Sequence, residues 1–91
     1  MLNGMYVDVD SNGNRTWRLD NHKIHREDGP AIEYANGARS WYLNGKLHRE
    51  DGPAVELSNG YRFWYLNGVE YTEEEYKQAV LVYKWGMSVD A

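Results

Sequence analysis

The sequence predicts a mostly β protein, a repetitive antiparallel β-meander capped by one C-terminal α-helix. The segment His-Arg-Glu-Asp-Gly-Pro-Ala occurs at residues 25–31 and again at 48–54, and Trp-Tyr-Leu-Asn-Gly occurs at 41–45 and 64–68. Both segments return after 23 residues (25 to 48, 41 to 64), a period typical of a repeated supersecondary unit. Asn-Gly pairs recur between short apolar segments, as tight β-hairpins require. Beyond residue 71 the Gly-Pro pair is replaced by a helix-start signal.

Composition narrows the class of protein. The 91 residues predict a single domain, and without cysteine it has no disulfide or thiolate metal site. Four Trp, eight Tyr and one Phe indicate that aromatic burial stabilises it. A net charge of −4 disfavours binding to duplex nucleic acid, which needs a basic surface. No segment resembles a signal peptide or a membrane span, so we expect a cytoplasmic protein with no membrane partner.

The first hairpin is predicted between residues 5 and 19. Residues 5–10 alternate apolar and polar side chains, Asn12-Gly13 supplies the turn, and residues 16–19 return. This segment matches the later repeats at Asn12-Gly13, Arg15, Trp17 and Leu19, so we interpret it as a degenerate first copy. One residue is inserted after Leu19, which predicts a longer turn or a bulge at residues 20–23.

Each full unit is predicted to be a three-stranded meander, with units at about 12–35, 36–58 and 59–71. One strand begins near Ala31 or Ala54, the next returns through an Asn-Gly turn, and a second Asn-Gly turn leads to a short third strand. Glu-Asp-Gly-Pro is the corner that starts the next unit, because proline fits the start of a strand. On the returning strands Arg, Trp and Leu share one face, and Tyr42 or Tyr65 lies on the other.

A helix is predicted from about 73 to 85. Thr72 and Glu75 have the spacing of a capping box, and Gly86 follows the last helical residue. One stripe of the helix is predicted to cover the end of the sheet, formed by Tyr76, Ala79, Val80 and Tyr83. A second apolar group lies outside that stripe and consists of Leu81, Val82 and Trp85.

The run Trp-Tyr-Leu-Asn-Gly-Lys-Leu-His-Arg-Glu-Asp-Gly-Pro-Ala-Val-Glu at residues 41–56, followed by another Asn-Gly and Trp-Tyr-Leu-Asn-Gly, resembles the repeat of small tailed-bacteriophage proteins. The hairpin-with-glycine pattern is also similar, more distantly, to MORN-type repeats. The resemblance covers roughly residues 12–75. It implies a β-hairpin repeat protein that acts in the cytoplasm of an infected bacterium and binds a host protein.

Two charged segments, which we call the corners, contain most of the side chains that suit catalysis or metal binding. They are residues 25–28 and 48–51, both His-Arg-Glu-Asp. A general acid–base pair would use His48 with Glu50 or Asp51. A metal would use His25 with Asp28, or His48 with Asp51. Repetition one period apart favours a structural role, in which the aspartates accept backbone N–H bonds and the arginines pair with carboxylates of the adjacent unit. We therefore predict no catalytic residue, no metal site and no cofactor.

The recurring tryptophans have two interpretations. Trp17, Trp41 and Trp64 are predicted to form a stacked ladder in the core. Alternatively, they form a stacking platform for a nucleobase, with arginines on the same face. In that alternative the protein sequesters a small ligand or nucleotide with Arg39, Trp41, Arg62 and Trp64.

The preferred hypothesis is a non-enzymatic interaction protein. Aromatic residues dominate protein–protein hot spots, and exposed apolar groups mark interfaces. We expect a protein partner, such as a bacterial defence or toxin component that the chain inhibits or triggers. The predicted contact residues are Tyr42, Tyr65, Leu81, Val82 and Trp85.

Overall fold

The computed structural model describes residues 4–86, and its fold is mostly β with one C-terminal helix, as predicted. The helix α1 spans Glu73–Trp85. The strands are β1 Tyr6–Val9, β2 Arg15–Arg18, β3 Ile32–Glu33, β4 Arg39–Ser40, β5 Tyr42–Leu43, β6 Lys46–Leu47, β7 Val55–Glu56, β8 Arg62–Leu66 and β9 Val69–Tyr71. No helix within residues 4–86 has the length and apolar character needed to cross a membrane.

The strands form an antiparallel meander. Seven of them make one sheet in the order β1-β2-β3-β4-β7-β8-β9, and β5 pairs with β6 in a separate two-stranded sheet. Backbone hydrogen bonds place the second hairpins of successive units side by side: Gly45 N–H donates to the Ile24 carbonyl and Gly68 N–H to the Leu47 carbonyl, both at 2.8 Å. The two bonds are one period apart, so the repeat in sequence is also a repeat in structure.

The turns between the short strands explain the spacing of the Asn-Gly pairs. Asn44 and Gly45 have φ of 51° and 82°, and Asn67 and Gly68 have 50° and 81°. Both residues of such a turn need positive φ, which Asn and Gly adopt at the least cost. In the first unit the turn is longer: Leu19 N–H donates to the Lys23 carbonyl, and His22 takes the left-handed conformation at φ 72°. The prediction of a longer turn is confirmed.

The helix starts and ends as its sequence predicts. The Thr72 side chain accepts from Glu75 N–H, and the Glu75 carboxylate accepts from Thr72 N–H, which completes the capping box. Gly86 ends the helix in the left-handed conformation. Tyr76 is buried, whereas Tyr83 is 45 % exposed and contacts the His48 ring with 4.9 Å between centroids.

Tyr76 joins the helix to the second corner. Its hydroxyl donates to the Arg49 carbonyl at 2.5 Å and accepts from Gly52 N–H at 3.4 Å. We expect Tyr76→Phe to lower the free energy of unfolding in urea by about 1–2 kcal/mol, because the Arg49 carbonyl loses its buried donor. Burial raises the pKa of Tyr76 above 10.0, so this stabilisation is present below pH 10 and disappears as the pH rises through the higher folded pKa. A wild-type advantage that persists unchanged above that pH would contradict this role.

The two faces of the main sheet carry different side chains. On the helix side a row of alternating charges crosses five strands, formed by Arg15, Glu33, Arg39, Glu56 and Arg62. On the opposite side the neighbouring row is Thr16, Ile32, Ser40, Val55 and Phe63. Opposite charges on paired strands favour this register, since like charges in those positions would repel each other.

The core is built from three alanines and three larger apolar side chains rather than from the predicted tryptophan ladder. Within the described residues, the buried apolar side chains are Ala31, Ile32, Ala38, Ala54, Leu66 and Tyr76. Trp17, Trp41 and Trp64 are half-buried, and no two of these indoles form a ring pair within residues 4–86. A sheet with one partial helical layer leaves too little depth to enclose three indoles, so arginines cover two of them instead.

Candidate functional site

The buried histidines of the two corners use both ring nitrogens in hydrogen bonds. Nδ1 of His25 accepts from Asn44 N–H, and Nδ1 of His48 accepts from Asn67 N–H, each at 2.9 Å. These acceptor bonds assign the proton to Nε2, which in His48 faces the Glu50 carboxylate at 2.9 Å. The corresponding distance from His25 to Glu27 is 3.3 Å. Each histidine thus holds its own corner against the second hairpin of the following unit.

The corner arginines stack on tryptophans and bind the next strand. The guanidinium of Arg26 lies 3.9 Å from the Trp17 ring centroid, and that of Arg49 lies 3.7 Å from Trp41. Nη1 of Arg49 donates to the Pro53 carbonyl at 3.0 Å and to Glu56 at 3.3 Å. Arg26 repeats this pattern with Pro30 and Glu33. These arginines do pair with carboxylates, but the partners belong to the same unit and not to the adjacent unit that was predicted.

The corner aspartates differ from the prediction. Asp28 and Asp51 accept from the Nε atoms of Arg26 and Arg49, at 3.0 and 3.1 Å, rather than from backbone N–H groups of the turn. The aspartates therefore orient the guanidinium groups over the indoles. A rigid, planar cation with several donors suits this position in a way that an ammonium group does not.

A cleft of about 610 Å³ lies between the two corners. Arg26 and Asp28 of the first corner line it together with His48 and Arg49 of the second, and Lys84 from the helix borders it. Its arginines are paired with carboxylates, and His48 is fully hydrogen-bonded. Among residues 4–86, no three His, Cys, Asp or Glu side chains are arranged to hold a metal ion. The contacts of these groups favour the structural interpretation of the corners.

Two of the four residues of the small-ligand alternative, Arg39 and Trp41, are engaged in contacts within the protein. Nη2 of Arg39 binds Glu56 at 2.6 Å, and Arg49 occupies one face of the Trp41 ring. Arg39 and Arg62 line a cavity of about 410 Å³ beside the hairpin turns, but neither Trp41 nor Trp64 lines it. The four residues therefore do not form a common platform in which a base would stack beside the arginines.

The sheet face opposite the helix is rich in tyrosine. Tyr65 lies on it, and Tyr42 belongs to the separate two-stranded sheet of β5 and β6. Burial raises the pKa of Tyr42, and the charges of the ionised Tyr34 and Tyr65 would raise it further. We call this surface the tyrosine face and define it as Tyr34, Tyr42, Leu57, Tyr61, Phe63 and Tyr65.

Sequence reasoning missed part of the tyrosine face. Tyr34, Leu57 and Tyr61 are 39 %, 39 % and 65 % exposed, and they were not predicted as contact residues. The strand pattern could have identified two of them, because residues two apart in a strand lie on the same face. Tyr34 follows Ile32, and Leu57 follows Val55, at this spacing. The face contains six apolar or aromatic side chains, and Glu70 borders it, since it pairs with Tyr65 across the strands and accepts from the Tyr65 hydroxyl at 3.5 Å.

A second apolar surface lies on the helix, away from the tyrosine face. Leu81, Val82 and Trp85 are 38 %, 40 % and 67 % exposed, in keeping with their position outside the packed stripe. Beside them a groove of about 820 Å³ runs between α1 and the last hairpin. The predicted contact residues therefore fall on two separate surfaces, one on the sheet and one on the helix.

Comparisons of the chain with protein-family models, curated proteins and solved structures gave no match.

Proposed function

We propose that the protein is a non-enzymatic interaction module that binds another protein through its tyrosine face. The observation that carries this proposal is a group of aromatic side chains that stay exposed or half-buried within residues 4–86: Tyr34 and Tyr61 are 39 % and 65 % exposed, and Tyr42 and Tyr65 are half-buried. Tyrosine offers a large apolar ring with a polar end at low conformational cost, and it is enriched at interface hot spots.

The internal bonding of the charged residues supports the same proposal. The corner histidines are occupied by bonds to the hairpin of the following unit, and the corner arginines by bonds within their own unit. A surface that binds a partner should therefore consist of side chains that do not make these structural contacts. The tyrosine face meets this condition, because its side chains extend from strands whose backbones are already paired.

For the partner we propose a host protein of an infected bacterium, such as a component of a defence or toxin system. The resemblance of the repeat to small bacteriophage proteins supports this class, and with it action in the host cytoplasm. A flat, aromatic surface with few charges suits a protein surface better than a nucleic acid, whose phosphates need cations.

The test starts with capture of a partner from bacterial lysate, followed by measurement of its affinity for purified variants. We expect Tyr42→Ser/Tyr65→Ser to raise Kd by at least about 30-fold, because two central aromatic contacts are removed. The matched control is Val7→Ser/Val9→Ser, which removes two exposed apolar residues from the helix side of the sheet.

The control should leave Kd within about twofold of wild type, as expected for residues outside the interface. Unfolding in urea shows whether each double variant is folded at the assay temperature. Equal affinity of both double variants for the captured partner would contradict the assignment of the tyrosine face.

A further inference from the structure

We propose that Asn12 is a site of spontaneous covalent modification, at which the folded chain deamidates faster than at the other Asn-Gly pairs of residues 4–86. Asparagine is chemically labile, and a following glycine has no Cβ to hinder the reaction. Five such pairs lie wholly within the described residues: Asn12-Gly13, Asn36-Gly37, Asn44-Gly45, Asn59-Gly60 and Asn67-Gly68. A sixth, Asn3-Gly4, begins outside them and is not compared.

The reaction needs only two neighbouring residues and water. The Gly13 backbone nitrogen attacks the side-chain carbonyl carbon of Asn12 and loses its proton, while the side-chain nitrogen leaves as ammonia. A five-membered succinimide ring results. Water then opens the ring at either of its two carbonyl carbons, which yields aspartate or isoaspartate at residue 12. Two conditions therefore set the rate: the carboxamide must be free to rotate, and the glycine nitrogen must be released from its own hydrogen bond.

The first condition separates Asn12 from its counterparts in the later units. In three equivalent hairpin turns the glycine N–H donates to the carbonyl of the turn's first residue, at 10–14, 34–38 and 57–61. Oδ1 of Asn36 accepts from Ala38 N–H at 2.9 Å, and Oδ1 of Asn59 accepts from Tyr61 N–H at 3.1 Å. These bonds hold both carboxamides in place, away from the glycine nitrogen.

Asp10 leaves the Asn12 carboxamide free in the first turn. Asn14 stands two residues after the asparagine, and its N–H donates to Oδ1 of Asp10 at 3.0 Å instead. The side-chain and backbone bonds from Asn14 lower the pKa of Asp10, so its carboxylate remains an acceptor at neutral pH. The later turns have tyrosine and leucine in place of Asp10. Within residues 4–86, the Asn12 backbone N–H is bonded to Asp10 at 2.9 Å, but no hydrogen bond holds the carboxamide.

The second condition separates Asn12 from the asparagines of the two-residue turns. There the glycine N–H donates to a carbonyl of the preceding unit, from Gly45 to Ile24 and from Gly68 to Leu47. Release of either nitrogen requires the separation of two units. Gly13 N–H donates within its own turn, to the Asp10 carbonyl at 3.1 Å. That turn joins β2 to β1, the edge strand of the main sheet, and an edge hairpin opens at a lower free energy than the sheet interior.

Peptide mapping by mass spectrometry tests the assignment after incubation of the purified protein at mildly alkaline pH. We expect deamidation of Asn12 to be at least about fivefold faster than that of each of the other four asparagines. In concentrated urea the five rates should agree within about threefold, because every asparagine then precedes a glycine in an open chain. A rate at any of the four that equals that of Asn12 in the folded protein would overturn the proposal. The same preference for Asn12 in urea would also overturn it, since the fold would not be its cause.

A substitution in the third turn tests the part played by Asp10. Leu57→Asp gives that turn the carboxylate of the first, so the Tyr61 N–H can leave the Asn59 carboxamide. Deamidation of Asn59 should then rise by about threefold relative to Asn36, which reports any general loss of stability in the same molecule. Leu57→Ala removes the leucine without adding an acceptor and should leave this ratio as in wild type. An unchanged ratio in Leu57→Asp, or an equal rise in Leu57→Ala, would contradict the mechanism.

Discussion

Replacement of His48 by alanine is expected to lower the free energy of unfolding by about 3 kcal/mol, measured in urea. His48 is 3 % exposed, and its ring contacts Tyr83 of the helix. The substitution removes this packing and takes away the part-buried acceptor of the Asn67 N–H. The lost hydrogen bond adds to the cost of the cavity left by the buried ring.

The control for this substitution is His22→Ala. His22 is exposed in the longer turn of the first unit, where its ring bonds the Tyr6 hydroxyl. Loss of an exposed hydrogen bond should cost less than about 1 kcal/mol. If the His48→Ala variant were as stable as the His22→Ala variant, His48 would not be a structural residue. A catalytic or binding role for His48 would then have to be considered.

The second large effect is expected for Arg49→Lys. Lysine keeps the charge but cannot stack on Trp41 while donating to Asp51, Pro53 and Glu56 in the geometry of the guanidinium. We expect the free energy of unfolding to fall by about 2 kcal/mol, because a half-buried cation–π contact and several charge-assisted bonds are lost together.

The twin corner provides a strict comparison. Arg26→Lys should cost nearly as much as Arg49→Lys, since Arg26 makes the equivalent contacts with Trp17, Asp28, Pro30 and Glu33. Arg62→Lys is the control, because Arg62 is exposed and no ion pair of residues 4–86 involves it. Its effect should stay within about 0.5 kcal/mol. Equal effects of all three substitutions would contradict the structural role of the corner arginines.

Much of the fold follows from local signals in the sequence. The Asn-Gly turns require positive φ, the alternation in residues 6–9 specifies a strand, and Thr72 with Glu75 specifies the start of the helix. Each signal acts over a few residues, so it can be recognised without knowledge of distant contacts. The extra residue after Leu19 is another local signal, because it lengthens only the turn that follows Leu19.

Contacts between residues distant along the chain were harder to predict. Arg39 shares a face with Trp41 and its guanidinium lies 5.7 Å from the ring centroid, whereas Arg49 lies closer, at 3.7 Å. Arg49 arrives from the following corner, and only the three-dimensional path of the chain shows how near it comes. The space available for buried side chains likewise depends on how the whole sheet and the helix pack. The predicted tryptophan ladder in the core was therefore wrong.

The candidate site was predictable only in part. The position of Tyr42 and Tyr65 on the face opposite the tryptophans followed from strand periodicity. The proximity of Tyr34 to Tyr42 did not, since these residues belong to different strands and their approach depends on how the sheet is shaped. Separation of the helix stripe from the tyrosine face also required the structure, because it depends on which side of the sheet the helix packs.

The most direct test of the central claim is the NMR spectrum of the protein with labelled tyrosine and histidine side chains, recorded with and without its captured partner. The account predicts that Tyr34, Tyr42, Tyr61 and Tyr65 shift on binding, whereas the ring resonances of His25 and His48 stay in place. Shifts of both histidine rings with no change in the four tyrosines would place recognition at the corners and contradict the account.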